Sequence, residues 1–216
     1  MTRFRPFNIQ HLSFEIAMRR TLSRTYFNRP TLTVARSLVG KYLIRCIDGR
    51  EMAGKIIEVE AYVGSEDKAC HASKGRTQRT DVMFGPAGVA YVYLIYGMYH
   101  CLNVVTEREE FPSAVLIRAI EIDGKLIDGP GRICRAMQID RSLNRADLTI
   151  GESLWFEDRG VSVKRGVSVK RGDIEAHPRI GVDYAGAWAK KPWRFRLCTV
   201  TAFTRVRPTK KQGDTG

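Results

Sequence analysis

Thirteen residues, Tyr91-Val-Tyr-Leu-Ile-Tyr-Gly-Met-Tyr-His-Cys-Leu-Asn103, restrict the architecture more than any other stretch of the chain. Aromatic and branched side chains suit a pleated surface, so Tyr91 to Ile95 reads as a strand. Gly97 interrupts it and Tyr99 to Val105 returns, which gives a hairpin with Tyr96, Gly97 and Met98 at its tip. Alternation along the first arm sets Tyr91, Tyr93 and Ile95 on one face and Val92 and Leu94 on the other. Tyr93 and Tyr96 therefore need not share a task. Two accounts fit this stretch alone: an aromatic-rich core hairpin, or a pocket wall with a projecting tip.

The totals narrow the choice. A chain of 216 residues buries one sizeable core, and one domain is the simplest count. Thirty-six Lys plus Arg against 23 Asp plus Glu leave a net charge of +13. That excess favours a polyanionic partner, nucleic acid before an anionic membrane. Cys46, Cys70, Cys101, Cys134 and Cys198 are odd in number and widely spaced, with no CxxC pair and no zinc-ligand spacing. They fit reduced thiols, which points to a cytoplasmic or nucleoid location in a bacterium and a nuclear one in a eukaryote. No apolar run has the roughly 20 residues of a membrane span, and the N-terminus lacks the apolar core of a secretory signal.

Taken in order, the chain opens on a basic segment, residues 1–25. Within it Ser13 is placed to cap a helix running to about Leu22. Thr33 is placed to cap a second short helix, through Leu38 to Gly40. Tyr42 to Ile47 and Met52 to Tyr62 read as paired strands around an Asp48-Gly49 turn. On the second strand Ile57, Val59 and Ala61 share one face, while Glu58, Glu60 and Tyr62 share the other. Two carboxylates beside an aromatic form either a solvated edge or the floor of a cleft.

Residues 64–88 form a connection longer than most, which marks a working loop; it carries His71, Lys74, Arg76 and Arg79. Residues 113–121 read as a further strand that puts Arg118 on an apolar face with Leu116 and Ile120. A guanidinium there needs an anionic partner, and Glu58 and Glu60 are the natural ones. Gly129-Pro130 starts a helix, and strands are expected near 153–156 and 195–203, with a turn at 184–186. Residues 161–172 repeat Val-Ser-Val-Lys-Arg-Gly twice and read as a basic extended or hairpin insertion; residues 205–216 form a polar, basic tail. The fold class expected is mixed α/β (α+β), a single domain with a curved, largely antiparallel sheet flanked by short helices.

An acid, an arginine on an apolar strand face, a histidine, an asparagine and clustered tyrosines on a basic protein suit a nucleobase lifted from its strand. A carboxylate beside such a pocket can deprotonate water or stabilise an oxocarbenium-like sugar. A noncatalytic nucleic-acid module and a free-nucleoside hydrolase are the alternatives.

The runs Gly54-Lys-Ile-Ile-Glu-Val-Glu-Ala-Tyr62, His71, Gly75-Arg-Thr-Gln-Arg79, Met83-Phe84, Tyr91 to Tyr99, Leu102-Asn103, Leu116-Ile-Arg118, Gly129-Pro130, Leu143 to Leu148 and Ala185 to Pro192 occur in order. As an ordered set they resemble the 3-methyladenine (alkyladenine) DNA glycosylase family over roughly residues 26–203, within a domain set at 26–204. The resemblance implies that Glu60 is the general base for water and that Arg118 positions water and carboxylate. It implies that Tyr62, His71 and Tyr93 wall the extruded base and that Asn103 opposes the 2-amino group of guanine. Tyr96 would fill the gap left in the minor groove with Met98 beside it, and Arg76 and Arg79 would contact DNA. The partner implied is double-stranded DNA containing damaged bases, bound by a monomer with no membrane, metal or cofactor involved. Two features depart from the family pattern. Gln78-Arg79-Thr80 replaces Pro-Arg-Asn, and the 161–172 repeat is longer and more basic than expected.

Overall fold

In the computed structural model, residues 20–160 and 173–198 are described. The helix expected from Ser13, the 161–172 repeat, the strand residues past 198 and the 205–216 tail lie outside them, wholly or in large part. One long antiparallel ribbon organises the rest. Strand β3 (Arg50–Val63) pairs with β6 (Ser113–Ile122) along most of its length. The free edge of β3 is shared by β2 (Tyr42–Ile47) and β10 (Arg194–Leu197). The free edge of β6 is shared by β5 (Tyr99–Val105) and β7 (Lys125–Asp128). Strands β4 (Ala90–Ile95), β8 (Leu154–Asp158), β1 (Arg20–Thr21) and β9 (Ile174–His177) extend the branches. Among the described residues all pairs are antiparallel, and the sheet has ten strands. The mixed α/β class with a largely antiparallel sheet is thus the fold observed.

Alternation assigns the two faces. Val92, Leu102, Val104, Val115 and Ile117 enter the larger core, which α1 (Arg24–Phe27), α2 (Thr31–Leu38) and α3 (Pro130–Ala136) cover with Phe27, Val34, Leu38 and Ile133. Their neighbours Tyr91 and Ala114 point the other way, into a smaller cluster with Ala72 and Met83 of the 64–88 connection. That connection is shaped by two 3-10 turns, His71–Lys74 and Asp81–Phe84. Among the described residues no helix is long and apolar enough to cross a membrane.

Three local expectations need correction. Arg20–Thr21 is a strand paired to Asp158 and Glu157, and Leu22 is in the core, so no helix runs to Leu22. Helix α2 begins at Thr31 rather than after a Thr33 cap, because Glu107, far along the chain, accepts both the Thr31 N–H at 2.9 Å and its hydroxyl at 2.6 Å. The segment expected to turn at 184–186 is a 3-10 stretch, Asp183–Lys190, broken at Gly186 with φ 58°.

A fourth correction concerns the ribbon. The register steps from Ile56–Ile120 to Glu58–Ala119 and then to Val59–Ile117. Ile57 on β3 and Arg118 on β6 are the residues left without a cross-strand partner, so each strand carries a bulge. Ile56 and Ile57 consequently both reach the core, as do Ala119 and Ile120. Arg118 shares its face with Leu116, as expected, but Ile120 does not.

Helix α3 lies hard against β5 because Gly131 has no side chain. A Cβ there would sit 2.9 Å from Tyr99 Cβ and 3.0 Å from its Cδ1. Replacing a helical glycine with alanine gains about 1 kcal/mol from propensity. Overpacking costs about 1–3 kcal/mol, and the atom met here is the near-backbone Cβ, which cannot swing aside. We expect Gly131→Ala to lower unfolding free energy in urea; a rise near the propensity gain would contradict this packing.

Candidate active site

Glu60 forms the floor of the site. It is 0% exposed, and β3 presents it on the face opposite Val59 and Ala61. Each carboxylate oxygen has a defined neighbour. Tyr62 Oη donates to Oε2 at 2.8 Å, and the Ile180 backbone N–H donates to Oε1 at 2.8 Å. The Arg118 guanidinium Nε stands 3.5 Å from Oε1 and closer, at 3.2 Å, to Glu58 Oε1. Burial raises the pKa of Glu60, and Arg118, the Ile180 amide and the Tyr62 hydroxyl act against that rise. A carboxylate in such balance is basic enough to take a proton and sufficiently bound to stay placed.

Above this floor lies a cavity of about 650 Å³, within the range of small-molecule sites. Glu60, Tyr62, His71, Tyr93, Asn103 and Arg118 all line it. The bulge explains how strand-derived side chains converge there, since it turns Arg118 toward the two acids of β3. Tyr93 on β4 packs edge-on against His71, with ring centroids 4.7 Å apart at 78°. His71 Nδ1 is 2.9 Å from the Tyr91 hydroxyl, which fixes the imidazole plane. Desolvation, with Arg79 and Lys74 nearby, lowers the His71 pKa to about 4, so the ring is neutral at pH 7. The Asn103 side-chain amide donates to the Tyr91 carbonyl at 3.1 Å, locking the orientation it shows the cavity.

The hairpin tip differs from its arms. Tyr96 has φ 53° and Gly97 φ 69°, so two consecutive residues take left-handed backbone. For a tyrosine this costs on the order of 1 kcal/mol, and such strain persists where surrounding structure imposes it. The Tyr96 ring is 82% exposed at the cavity mouth, and Met98 is 65% exposed. Met98 does not line the cavity. Arg79 sits with its guanidinium 4.9 Å from the Tyr93 ring. Arg76 is engaged otherwise: its Nε meets Asp81 at 2.8 Å and its Nη1 meets Glu110 at 3.0 Å.

Sequence reasoning missed a strip of the lining that abuts Glu60. Ile180, Gly181, Val182 and Tyr184 line it, although nothing in their spacing announces a site. Arg179 anchors the strip. Its buried guanidinium donates to Asp67 Oδ1 at 2.8 Å, to the Ala61 carbonyl at 2.9 Å and to the Trp188 carbonyl at 3.1 Å. It also lies 4.9 Å from the Tyr62 ring, backing that wall. Arg132 and Arg135 of α3 complete the rim. The Gly129-Pro130 motif was the available signal for them.

Fold and site together define a mixed α/β protein whose sheet carries a buried acid–arginine floor beneath an aromatic-lined cleft of about 650 Å³. The chain belongs to the Methylpurine-DNA glycosylase (MPG) family, whose profile matches residues 25–199. It is 52% identical over 190 residues to a protein of Methanocella arvoryzae, covering 81% of this chain and 90% of that one. It is 50% identical over 181 residues to one of Legionella pneumophila, covering 82% and 94%. It is 47% identical over 178 residues to one of Myxococcus xanthus, covering 80% and 88%. All three are provisionally named 3-methyladenine DNA glycosylases.

The depressed His71 pKa has a stability consequence with a definite sign. Between pH 6.5 and about 4 the unfolded chain binds a proton at this residue and the folded chain does not. Stability contributed by His71 is therefore complete above pH 6.5 and is lost as pH falls toward 4. Glu60, with a raised pKa, acts in the opposite sense above its ordinary value. We expect His71→Asn to flatten the slope of unfolding free energy against pH by one proton in that window. Identical slopes for variant and parent would show that the imidazole titrates normally in the fold.

Proposed function

We propose that the protein is a monofunctional DNA glycosylase that releases alkylated purines, such as 3-methyladenine, from double-stranded DNA and leaves an abasic site. The observation that carries this reading is that Glu60, Arg118 and the rings of Tyr62, His71 and Tyr93 open on one cavity. A damaged purine swings out of the duplex and slides between the rings, where stacking is worth about 1–3 kcal/mol per base. Tyr96 enters the minor groove and occupies the vacated space, with Met98 beside it. The net charge of +13 draws the phosphate backbone, with Arg79, whose guanidinium lies over the Tyr93 ring, and Arg76 contacting DNA, and makes binding fall with salt.

The chemistry then needs little acid help. Alkylation at N3 or N7 places positive charge on the purine, so the glycosidic bond weakens before the enzyme acts. As that bond lengthens, the sugar gains oxocarbenium character. A water held by Glu60 and Arg118 attacks C1′, and Glu60 accepts its proton. The neutral His71 presents its second ring nitrogen to the base, and Asn103 crowds the position of a guanine 2-amino group. Among the described residues no lysine lines the cavity, which supports direct hydrolysis over a Schiff-base intermediate. The enzyme acts as a monomer wherever the cell keeps its DNA.

Two substitutions test the assignment. Glu60→Gln should retain binding to lesion-bearing duplex while single-turnover base release falls by roughly 10²–10⁴-fold. Full activity in that variant would remove Glu60 from the mechanism. Tyr96→Ser, at an exposed tip, should change unfolding free energy by no more than about 0.5 kcal/mol. Its affinity for a lesion duplex should drop by roughly tenfold or more, the value of one lost stacking contact. Stability loss matching the affinity loss would return Tyr96 to a packing role.

A further inference from the structure

Glu58 does not line the cavity, yet it is 1% exposed and three guanidinium groups converge on it. Arg118 Nε lies 3.2 Å and Arg194 Nη1 3.3 Å from its Oε1, and Arg196 Nη1 lies 3.1 Å from its Oε2. Surface ion pairs need no such investment; a buried carboxylate with three arginines is a constructed feature. Two of the three lead back to Glu60. Arg118 is the group that also faces Glu60 Oε1, at the longer distance of 3.5 Å. Arg194 donates through Nε to the Pro178 carbonyl at 2.8 Å, two residues before the Ile180 amide that donates to the same Oε1. Glu60 is thus bounded on two sides by groups that Glu58 holds.

Resting on the glycosylase reading, we infer that Glu58 is a positioning residue for the reaction, dividing Arg118 between two carboxylates and steadying the 178–180 strip against Glu60. Without Glu58, Arg118 would turn wholly onto Glu60 and occupy the lone pairs that the attacking water needs. With it, the closer contact goes to the neighbour, and Glu60 keeps a site for water. The charged and titratable groups facing Glu60 are Glu58 and Tyr62 from β3 and Arg118 from β6. Arg194 of β10 stands in register with it, and His71, Tyr93, Arg132, Arg135 and Tyr184 line the same cavity.

The experiment measures single-turnover release of methylated purine from alkylated duplex DNA across pH for the full-length wild type, Glu58→Gln and Glu58→Asp. Lesion-duplex affinity and thermal melting are followed on the same preparations. Glu58→Gln keeps the shape and loses the charge. Its plateau rate should fall about tenfold to a hundredfold, the cost of a misplaced reacting group, with affinity kept. The acid limb of its profile should move to lower pH, because Glu60 loses a like charge and gains undivided Arg118. Glu58→Asp keeps the charge but loses the reach, so its rate should fall while the acid limb stays close to that of wild type. Should the Gln variant fail to fold, reduced rate in a normally melting Asp variant supports the inference. Wild-type rates in either variant overturn it. So does a rate loss that tracks the loss of folded protein with the acid limb unmoved. Absence of base release by the wild type would instead defeat the glycosylase reading itself, and this inference with it.

Discussion

The antiparallel pairing of β3 with β6 governs everything that the site requires. A regular ladder would oppose residues one to one and keep strict alternation on both strands. Here Ile57 and Arg118 are both unopposed, and the two irregularities compensate within three residues. The ladder therefore resumes in register, and the strands remain paired to Val63 and Ser113. Between the bulges one cation is delivered to two acids of β3. Removing either bulge alone would slip the remaining ribbon by one residue and send Glu60 to the core side.

Such a floor is costly to the fold. Glu60 is fully buried, and its desolvation is offset by one amide, one phenol and a shared guanidinium. The Arg179–Asp67 pair, buried behind Tyr62, repeats the pattern of charge enclosed with its partners. Buried ion pairs seldom outdo apolar packing in stability, so their presence on one face of a sheet otherwise packed with valine, leucine and isoleucine speaks for function. The structure separates the two demands by face: the large apolar core lies under the helices, and the polar apparatus lies under the loops. Tyr62 and Tyr93 serve both, since each lines the cavity and packs against the smaller apolar cluster.

Much of this was legible in the residues. Period-two alternation placed Glu58, Glu60 and Tyr62 together and separated Tyr93 from Tyr96, because a strand offers only two faces. The hairpin tip was legible from Gly97, whose φ of 69° a side chain resists. What escaped notice depends on contacts between distant parts of the chain. Glu107 caps Thr31 from 76 positions away, so the local pattern at Thr33 misled. Ile180 acts through its backbone N–H, which leaves no trace in residue identity. The bulge at Arg118 changes which residues share a face, and strict alternation therefore put Ile120 in the wrong company. Arg179 reads in sequence as one more positive charge; only its burial against Asp67 and Tyr62 distinguishes it.

In the proposed reaction one water, placed by Glu60 and Arg118, attacks a sugar whose purine has been drawn between the rings. Product analysis tests it most directly. A set of duplexes, each carrying one defined alkylated or unmodified purine, is incubated with the protein and scored for free base and for strand integrity. Free alkylated base is expected, with the strand intact until alkali is added and unmodified purines left in place. Strand cleavage without alkali, or a protein that binds the lesion duplexes and frees no base, would contradict it.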